Sequence, residues 1–182
     1  MKIDEVTFKL GMRRLASGVC LITTTDTDGS ARGMTATAVC SVSAQPPTLL
    51  CCVNRRNTTY DAICRSSAFA VNVLSVADRA LADRFARPLS PEEKFAAGEW
   101  RHNDRGVPLL SGALVSFGCR LDKTVVVGSH EIFFGEIETI ALGSADAVPL
   151  LYSHGSYGTF ESFVGASGND NLWVPGWGDG SP

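Results

Sequence analysis

Short apolar and β-branched stretches separated by turn signals dominate the first third of the chain. Residues 19–25 read Val-Cys-Leu-Ile-Thr-Thr-Thr, and the Asp-Thr-Asp-Gly sequence at residues 26–29 is typical of a hairpin turn. A second strand is predicted over residues 33–43, before the Pro46-Pro47 stop, and a third over residues 48–54.

Strand-like stretches also dominate the rest of the chain. They cover residues 69–74, 114–127, 131–142 and 150–153. Many short strands with few helices indicate an antiparallel barrel rather than a parallel α/β sheet. The predicted fold class is therefore mainly β.

Two short helices are predicted in the first half of the chain, one before the first strand and one after the third. Apolar residues recur at helical spacing near the start: Phe8, Met12 and Leu15. This pattern predicts an amphipathic helix that ends at Gly18. Capping-box spacing at residues 58–61 predicts a second helix that begins there and ends near Arg65.

A third helix is predicted after Ser75, which is placed to cap it. Its inner side is expected to carry four apolar residues: Val76, Ala80, Leu81 and Phe85. Residues 87–112 are rich in Pro, Gly and charge, so we expect an irregular segment with one helical turn at residues 91–95.

The strand over residues 33–43 has two different faces, because side chains alternate along a strand. Residues 34, 36, 38, 40 and 42 are Met, Ala, Ala, Cys and Val, and are expected to form the barrel core. The other face has Thr35, Thr37, Val39, Ser41 and Ser43, which is mostly a row of short hydroxyl side chains. Such a row suits a flat heterocycle with carbonyls and ring nitrogens. It also suits an ordinary solvent-facing strand.

The segment that follows the third strand has the features of an anion site. It reads Asn54-Arg55-Arg56-Asn57-Thr58-Thr59 and leads into a predicted helix. Free backbone N–H groups, the helix dipole and two arginines would all favour a phosphate there. A capped helix with solvated arginines is the alternative interpretation.

Three later side chains have ambiguous roles when each is considered alone. His130 opens a strand after Gly128-Ser129, and it is either a ligand contact or a structural histidine. Tyr157 is either a core or interface residue or a ligand contact. Glu136 is a candidate acid, but we expect an edge or interface carboxylate with an arginine partner.

Both faces of the strand at residues 130–137 carry bulky apolar groups. A small barrel has one interior, so the second face is expected to be buried against another subunit, which predicts a homodimer. Cover by a local helix is the alternative.

Composition restricts the class of protein. The 182 residues suit one domain, and a net charge of −3 gives no basic surface for nucleic acid. No apolar run approaches the length of a membrane span, and no secretory signal is visible. The six cysteines and three histidines lack zinc-ligand spacing, so we expect reduced thiols, no metal site and a cytoplasmic location.

The domain is predicted over residues 1–163. Residues 164–182 are rich in Gly, Pro and Asn, and we expect a mobile tail there. Trp173 and Trp177 lie in that tail, although exposed tryptophans usually have a partner surface.

Taken together, several of these stretches resemble the flavin reductase-like family. The resemblance begins with GMTATAVCSVS at residues 33–43, PPTLL at 46–50 and CVNR at 52–55. Further matches follow in family order: FAVNVL at 69–74, RFA at 84–86, Trp100, GAL at 112–114, VGSH at 127–130, FGEI at 134–137, and PLLY at 149–152 with Tyr157. The family includes the reductase components of two-component flavin monooxygenases, such as that of 4-hydroxyphenylacetate 3-monooxygenase.

The resemblance implies an FMN-binding split β-barrel of Greek-key type, a homodimer, and NAD(P)H:flavin oxidoreductase activity. It places five residues along the isoalloxazine and ribityl chain of FMN or FAD: Thr35, Ala36, Thr37, Ala38 and Ser41. It places Asn54 and Arg55 near the ribityl and phosphate, and Asn57 and Thr58 at the phosphate. His130 would lie where the nicotinamide of NADH or NADPH stacks on the flavin, and Tyr157 would close that pocket.

In this interpretation the flavin carries the redox step and reduced flavin leaves for a partner monooxygenase. Two other functions stay open at this point. One is a reductase with a tightly bound flavin that acts on another acceptor, such as a corrinoid or a ferric chelate. The other is a non-catalytic flavin-binding protein.

Overall fold

The computed structural model describes residues 3–161, so the predicted tail with Trp173 and Trp177 lies outside the described residues. The helices are α1 (Glu5–Met12), α2 (Thr58–Ser66), α3 (Arg79–Ala86), preceded by a 3₁₀ turn at Val76–Asp78, and α4 (Pro91–Phe95). The strands are β1 (Ser17–Gly18), β2 (Cys20–Thr25), β3 (Ala31–Ala36), β4 (Val39–Ala44), β5 (Pro47–Asn54), β6 (Ala68–Val73), β7 (Trp100–His102), β8 (Pro108–Leu110), β9 (Val115–Val127), β10 (His130–Leu142), β11 (Leu150–Ser153) and β12 (Ser156–Thr159).

Seven antiparallel strands form the main sheet, in the order β3-β2-β6-β9-β10-β5-β4. Two small sheets flank it, β1-β11-β12 and β7-β8. The predicted fold class, mainly β with antiparallel pairing and a few short helices, is confirmed. The ladder stays open between β3 and β4, which are its two edge strands.

The main core lies inside the curved sheet. Its buried residues come from alternate positions of the strands, and they include Ile22, Val53, Val71, Cys119 and Phe133. A second core lies on the outer side of β2 and β3, where α3 and α4 pack. No helix in residues 3–161 has the length and apolar character needed to cross a bilayer.

Phe85 of α3 joins the second core to β3. A Cβ atom at Gly33 would lie 2.7 Å from the Phe85 ring, so glycine permits this close packing. The ring also contacts Phe95 edge-on, with centroids 5.0 Å apart, and Trp100 at 5.7 Å. Helix α3 is thereby fixed against β3, next to the site described below.

The single strand predicted over residues 33–43 is wrong. The chain leaves β3 at Ala36, crosses at Thr37 and Ala38, and re-enters the sheet at its opposite edge as β4. At the crossing, the Ala38 carbonyl accepts a hydrogen bond from Cys52 N at 3.0 Å. Because β3 and β4 are separate strands at opposite edges, alternate residues over 33–43 do not all lie on one face of the sheet.

The predicted core set of that segment is therefore only partly right. Ala36 is buried and Met34 packs against the core. The other three residues are exposed: Ala38, Cys40 and Val42. The register of β4 against β5 shifts between Ser41 and Ser43, so a simple alternation fails there as well.

The helix predictions need four corrections. Helix α1 ends at Met12 and Gly18 lies in β1, and the apolar side of α1 stays exposed in the single chain. Asn57 caps α2, because its side chain accepts from Thr59 N at 2.9 Å. In the third helix Leu81 and Phe85 are buried as predicted, together with Ala82, while Val76 and Ala80 are exposed. Residues 87–112 contain α4 as predicted, but also the hairpin of β7 and β8.

Strand β12 was absent from the prediction. It pairs with β11 across a tight turn in which His154 and Gly155 have φ values of 54° and 81°. The strand is only four residues long and contains Gly158, so its strand signal is weak despite Tyr157 and Thr159. This hairpin places Tyr157 opposite Tyr152.

Candidate functional site

An open pocket of about 360 Å³ lies where the crossing from β3 to β4 meets the ends of β5 and β10 and the β11–β12 hairpin. Below it is called the ring pocket. Its lining is Val19, Met34, Thr35, Ala36, Thr37, Ala38, Cys52, Asn54, Ala86, His130, Tyr152 and Tyr157. Small side chains dominate the β3–β4 side, so the backbone there is accessible to a flat ligand.

Thr35 connects the ring pocket to α3. Its hydroxyl donates a hydrogen bond to the Ala82 carbonyl at 2.6 Å. The predicted row of free hydroxyls is therefore shorter than expected, because Thr35 retains only acceptor capacity toward a ligand. Ser41, further along the predicted row, lies on the exposed part of β4 and is not among the lining residues.

His130 and Asn54 face each other across the β5–β10 ladder. The hairpin turn before His130 is tied to β5, since Arg55 N donates to the Ser129 carbonyl at 3.0 Å. The Ser129 hydroxyl lies 2.9 Å from His130 Nδ1. This contact occupies Nδ1 and leaves Nε2 for a ligand.

Tyr157 and Tyr152 also line the ring pocket. Their rings are 5.5 Å apart in an edge-to-face arrangement. The Arg79 guanidinium lies 5.6 Å from the centre of the Tyr157 ring. Burial, with a smaller contribution from Asp83, raises the pKa of Tyr157, so this phenol stays neutral and able to donate a hydrogen bond.

Arg55 lies between Asn54, which lines the ring pocket, and Arg56. Its guanidinium lies 3.9 Å from the carboxylate of Glu131, which is buried and also accepts from the Tyr60 hydroxyl at 2.8 Å. Hydrogen bonds from Thr124 and Tyr60 lower the pKa of Glu131. Arg55 therefore does not line the ring pocket, and its guanidinium lies beside the Glu131 carboxylate.

A second open pocket, of about 440 Å³, adjoins the ring pocket at Ala86. We call it the cationic pocket. Its lining is Arg56, Asn57, Thr58, Phe85, Ala86, Arg87, Pro88, Leu89 and Lys94. No carboxylate lines it, and within residues 3–161 its three cationic side chains form no ion pair. The N-terminus of α2 opens into this positive surface.

Lys94 and Arg87 were not predicted as site residues. Lys94 Nζ donates to the Gly33 carbonyl at 3.1 Å, and burial lowers the pKa of this amine. Both residues come from the segment predicted as irregular. Arg87 ends α3 and Lys94 lies in α4, and the packing of these two helices on β3 positions both residues, so no local sequence signal marks them.

The structure thus brings together most of the predicted residues. Seven of them line the ring pocket: Thr35, Ala36, Thr37, Ala38, Asn54, His130 and Tyr157. Asn57 and Thr58 line the cationic pocket, and Ser41 and Arg55 line neither. Cys52 was missed, although its alternation with Asn54 along β5 would have placed it on the same face.

The described residues give little support for acid catalysis by Glu136, for thiol chemistry or for a metal site. The predicted arginine partner of Glu136 is confirmed as Arg120, which makes Glu136 a structural carboxylate. All six cysteines are free thiols, and burial raises the pKa of Cys20 and Cys119 to about 12. The part of the chain that the structure describes holds no His, Cys, Asp or Glu cluster suited to a metal ion.

Comparison with known proteins matches residues 12–161 to the flavin reductase like domain. The chain belongs to this family. It is 45% identical over 158 residues to "FMN reductase (NADH) RutF 1" of Methylorubrum extorquens, which covers 86% of this chain and 77% of the relative.

Solved structures agree with this assignment. Nitrilotriacetate monooxygenase component B from Mycobacterium thermoresistibile superposes with a TM-score of 0.84 at 28% identity, covering 94% of this chain and 96% of that one. The NADH:FAD oxidoreductase SgcE6 of Streptomyces globisporus, solved with NAD and FAD fragments, gives a TM-score of 0.79 at 27% identity, covering 91% and 96%.

Proposed function

We propose that the protein is an NADH:flavin oxidoreductase that reduces FMN and releases it to a separate monooxygenase component. The observation that carries the proposal is that two pockets lie side by side. A ring pocket with many small side chains shares its lining residue Ala86 with a cationic pocket that has no carboxylates. A flat ring with a phosphate on a flexible chain has the matching chemistry.

The small side chains at the β3–β4 crossing leave room for a flavin ring. Ala36 and Ala38 leave backbone groups within reach of a ligand, and Asn54 offers a side-chain amide beside them. Amide and hydroxyl groups of this kind suit the carbonyls and nitrogens of an isoalloxazine ring. We assign Thr35, Ala36, Thr37, Ala38 and Asn54 to the ring and ribityl chain.

The phosphate is assigned to the cationic pocket. Asn57 and Thr58 lie at the start of α2, and Arg56, Arg87 and Lys94 supply positive charge. Charge-assisted hydrogen bonds from such groups hold a phosphate more tightly than neutral ones do. Ser41 and Arg55 line neither pocket, so their predicted contacts with the flavin stay predictions.

A bound flavin supplies the redox chemistry itself, by accepting a hydride from the nicotinamide. The protein's task is to hold the two rings in contact. His130 contributes Nε2 at the rim of the ring pocket, and the neutral Tyr157 phenol also lines that pocket. No step needs a side-chain base.

We further propose that the protein acts as a homodimer. On the outer face of the sheet, Val125 lies opposite Ile132 and is 46% exposed, while Ile132 and Phe134 are half-buried. The helices pack mainly on β2, β3 and β6, so local helices leave this face uncovered among the described residues. The same face continues through Cys52 to the ring pocket, so a second copy there would lie beside the flavin.

The nicotinamide donor is proposed as NADH and the flavin as FMN, because the curated relatives are FMN reductases that use NADH. We propose a single domain over residues 1–163, since the family match ends at residue 161. A cytoplasmic location is part of the same proposal.

The decisive experiment measures anaerobic oxidation of NADH and of NADPH, each with FMN, FAD and riboflavin as acceptors. We expect turnover that requires added flavin, with the highest kcat/KM for NADH and FMN. Flavin-dependent turnover with weak flavin retention on desalting distinguishes this function from a tightly bound prosthetic group. Protein that neither binds flavin nor oxidises either donor would refute the proposal.

A further inference from the structure

One side of helix α3 faces the ring pocket. Residues three, four and seven positions apart share a side of an α-helix, and on this side they are Arg79, Ala82, Asp83 and Ala86. Ala86 lines the ring pocket, and the Ala82 carbonyl accepts the hydrogen bond from the Thr35 hydroxyl. Asp83 is the acidic residue of this set, and it lines neither the ring pocket nor the cationic pocket. Any effect of Asp83 on the site must therefore act through another side chain.

Tyr157 is the ring-pocket side chain that this side of α3 holds. The Arg79 guanidinium lies 5.6 Å from the centre of the Tyr157 ring. The Tyr152 ring contacts Tyr157 edge-on, with centroids 5.5 Å apart. Tyr157 also packs against the second core, to which Ala82 belongs. The ring thus has a cation, an aromatic neighbour and apolar side chains around it, and its hydroxyl is the group that needs a polar partner.

Asp83 is the polar partner that α3 offers to this hydroxyl. Burial makes the largest contribution to raising the pKa of Tyr157; Asp83 raises it further as a hydrogen-bond acceptor and as a negative charge, while Arg79 lowers it. Arginines lie four residues before and after Asp83, at positions 79 and 87, yet within residues 3–161 its carboxylate forms no ion pair. The carboxylate is therefore free to accept from the phenol, whose oxygen lone pairs stay available to a ligand.

We propose that Asp83 is a positioning residue of the reductase, which orients the Tyr157 phenol toward the nicotinamide. The inference rests on the proposed function and adds a residue to the side of the ring pocket that holds the hydride donor. Arg79 supports the same orientation from above the Tyr157 ring. Without Asp83 the phenol has no fixed direction, so fewer encounters hold the nicotinamide in a reactive position. The contacts assigned to the flavin phosphate are not affected.

Kinetics of Asp83 variants test this role. We expect Asp83→Ala to lower kcat/KM for NADH about three- to fivefold and to change the KM for FMN by less than about twofold, because one hydrogen bond on the nicotinamide side is lost. Asp83→Asn keeps a side-chain acceptor and should retain at least about half of the wild-type kcat/KM. Asp146→Ala is the matched control, since Asp146 is exposed and lines neither pocket.

A double variant separates positioning from a general structural effect. Tyr157→Phe removes the hydroxyl through which Asp83 is proposed to act, and it should lower kcat/KM for NADH by a similar factor. Adding Asp83→Ala to Tyr157→Phe should then cause no further loss, because the two side chains act as one unit. A further loss as large as the one in the wild-type background would overturn the inference.

A measurement without turnover gives a second test. Replacing all three tyrosines by meta-fluorotyrosine lets fluorine NMR follow each phenol, and the Tyr157→Phe variant identifies the Tyr157 resonance. The pKa of this phenol should fall in Asp83→Ala and stay at the wild-type value in Asp146→Ala. An unchanged pKa in Asp83→Ala would overturn the inference. Failure of the proposed function appears separately, as wild-type protein that oxidises neither NADH nor NADPH while the NMR titration still reports the contact between Asp83 and Tyr157.

Discussion

The side-chain oxygen of Asn72 accepts a hydrogen bond from the Ser116 hydroxyl at 2.8 Å, and both residues are fully buried. The same oxygen accepts from Leu110 N at 2.8 Å. The Asn72 amide donates to the Leu21 carbonyl at 3.2 Å and to the Thr23 hydroxyl at 3.0 Å. One side chain thus joins β2, β6, β8 and β9 with every polar atom satisfied.

Replacing Asn72 by Leu should destabilise the fold by about 3 kcal/mol, because it leaves the buried Leu110 N–H without a partner. Ser116→Ala removes one donor to an oxygen that keeps another, and should cost about 1 kcal/mol. Urea unfolding with equal m-values measures both changes. A smaller loss for Asn72→Leu than for Ser116→Ala would show that the network has little effect on stability.

His130 should affect turnover more than flavin affinity. We expect His130→Ala to lower kcat for NADH oxidation roughly tenfold, because the rim of the ring pocket loses the group that orients the two rings. His154 is a matched control: its Nδ1 also lies 2.9 Å from a preceding serine hydroxyl, but it does not line the pocket. His154→Asn suits the positive φ there and should retain wild-type kinetics. Equal effects of the two variants on kcat would contradict a role of His130 in the ring pocket.

The cationic pocket predicts discrimination between flavins with and without a phosphate. Arg87→Ala should raise the KM for FMN about fivefold and leave the KM for riboflavin unchanged, because only FMN carries the anion. Arg101→Ala, an exposed arginine of β7 outside both pockets, is the control. If Arg87→Ala weakens FMN and riboflavin equally, the phosphate lies elsewhere.

Protonation of Asp26 should lower the free energy of unfolding at acid pH. Bidentate hydrogen bonds from Arg65, at 2.8 and 2.6 Å, hold the pKa of Asp26 well below its usual value of 3.8. A lowered folded-state pKa contributes stability that is full above the unfolded-state value and is lost as pH falls through the folded-state value. The urea concentration at the unfolding midpoint should therefore decrease as the pH is lowered below about 4.

The matched variants for this prediction are Asp26→Asn and Asp104→Asn. Asp26→Asn should be less stable at neutral pH and should lose less of its stability between about pH 5 and about pH 3. Asp104 is exposed, so Asp104→Asn should follow the wild-type acid profile. Identical acid profiles for wild type and Asp26→Asn would contradict the role of the Arg65 pair.

The strand pattern of the sequence predicts the fold well where strands are buried on both sides. Residues 69–74 were predicted within one residue of β6, because five of the six positions in β6 are buried and the apolar signal is continuous. The prediction fails where tertiary geometry overrides alternation. The break at Thr37 and Ala38 has no turn residues, and it exists because β3 and β4 belong to opposite edges of one curved sheet.

The site was predictable as far as its residues follow one another along the chain. Asn54, Asn57 and Thr58 come from one segment, and a strand end that meets a helix start indicates an anion site. Lys94 and Arg87 come from a separate segment whose position depends on the packing of Phe85 and Phe95. Sequence patterns do not report such packing, so those two cations required the structure.

The proposed dimer predicts that a charge on the outer face of β9 separates the subunits. Val125 is 46% exposed in the single chain and lies opposite Ile132. Val125→Asp would bury an unpaired carboxylate in the interface, so we expect a shift from dimer to monomer in sedimentation velocity. Val148 is 47% exposed but precedes β11 and belongs to neither β9 nor β10, so Val148→Asp should sediment as the wild type does. Because the outer face continues to the ring pocket, the Val125→Asp monomer should also bind FMN more weakly than wild type. A wild-type monomer, or a Val125→Asp variant that remains dimeric, would contradict an interface on this face.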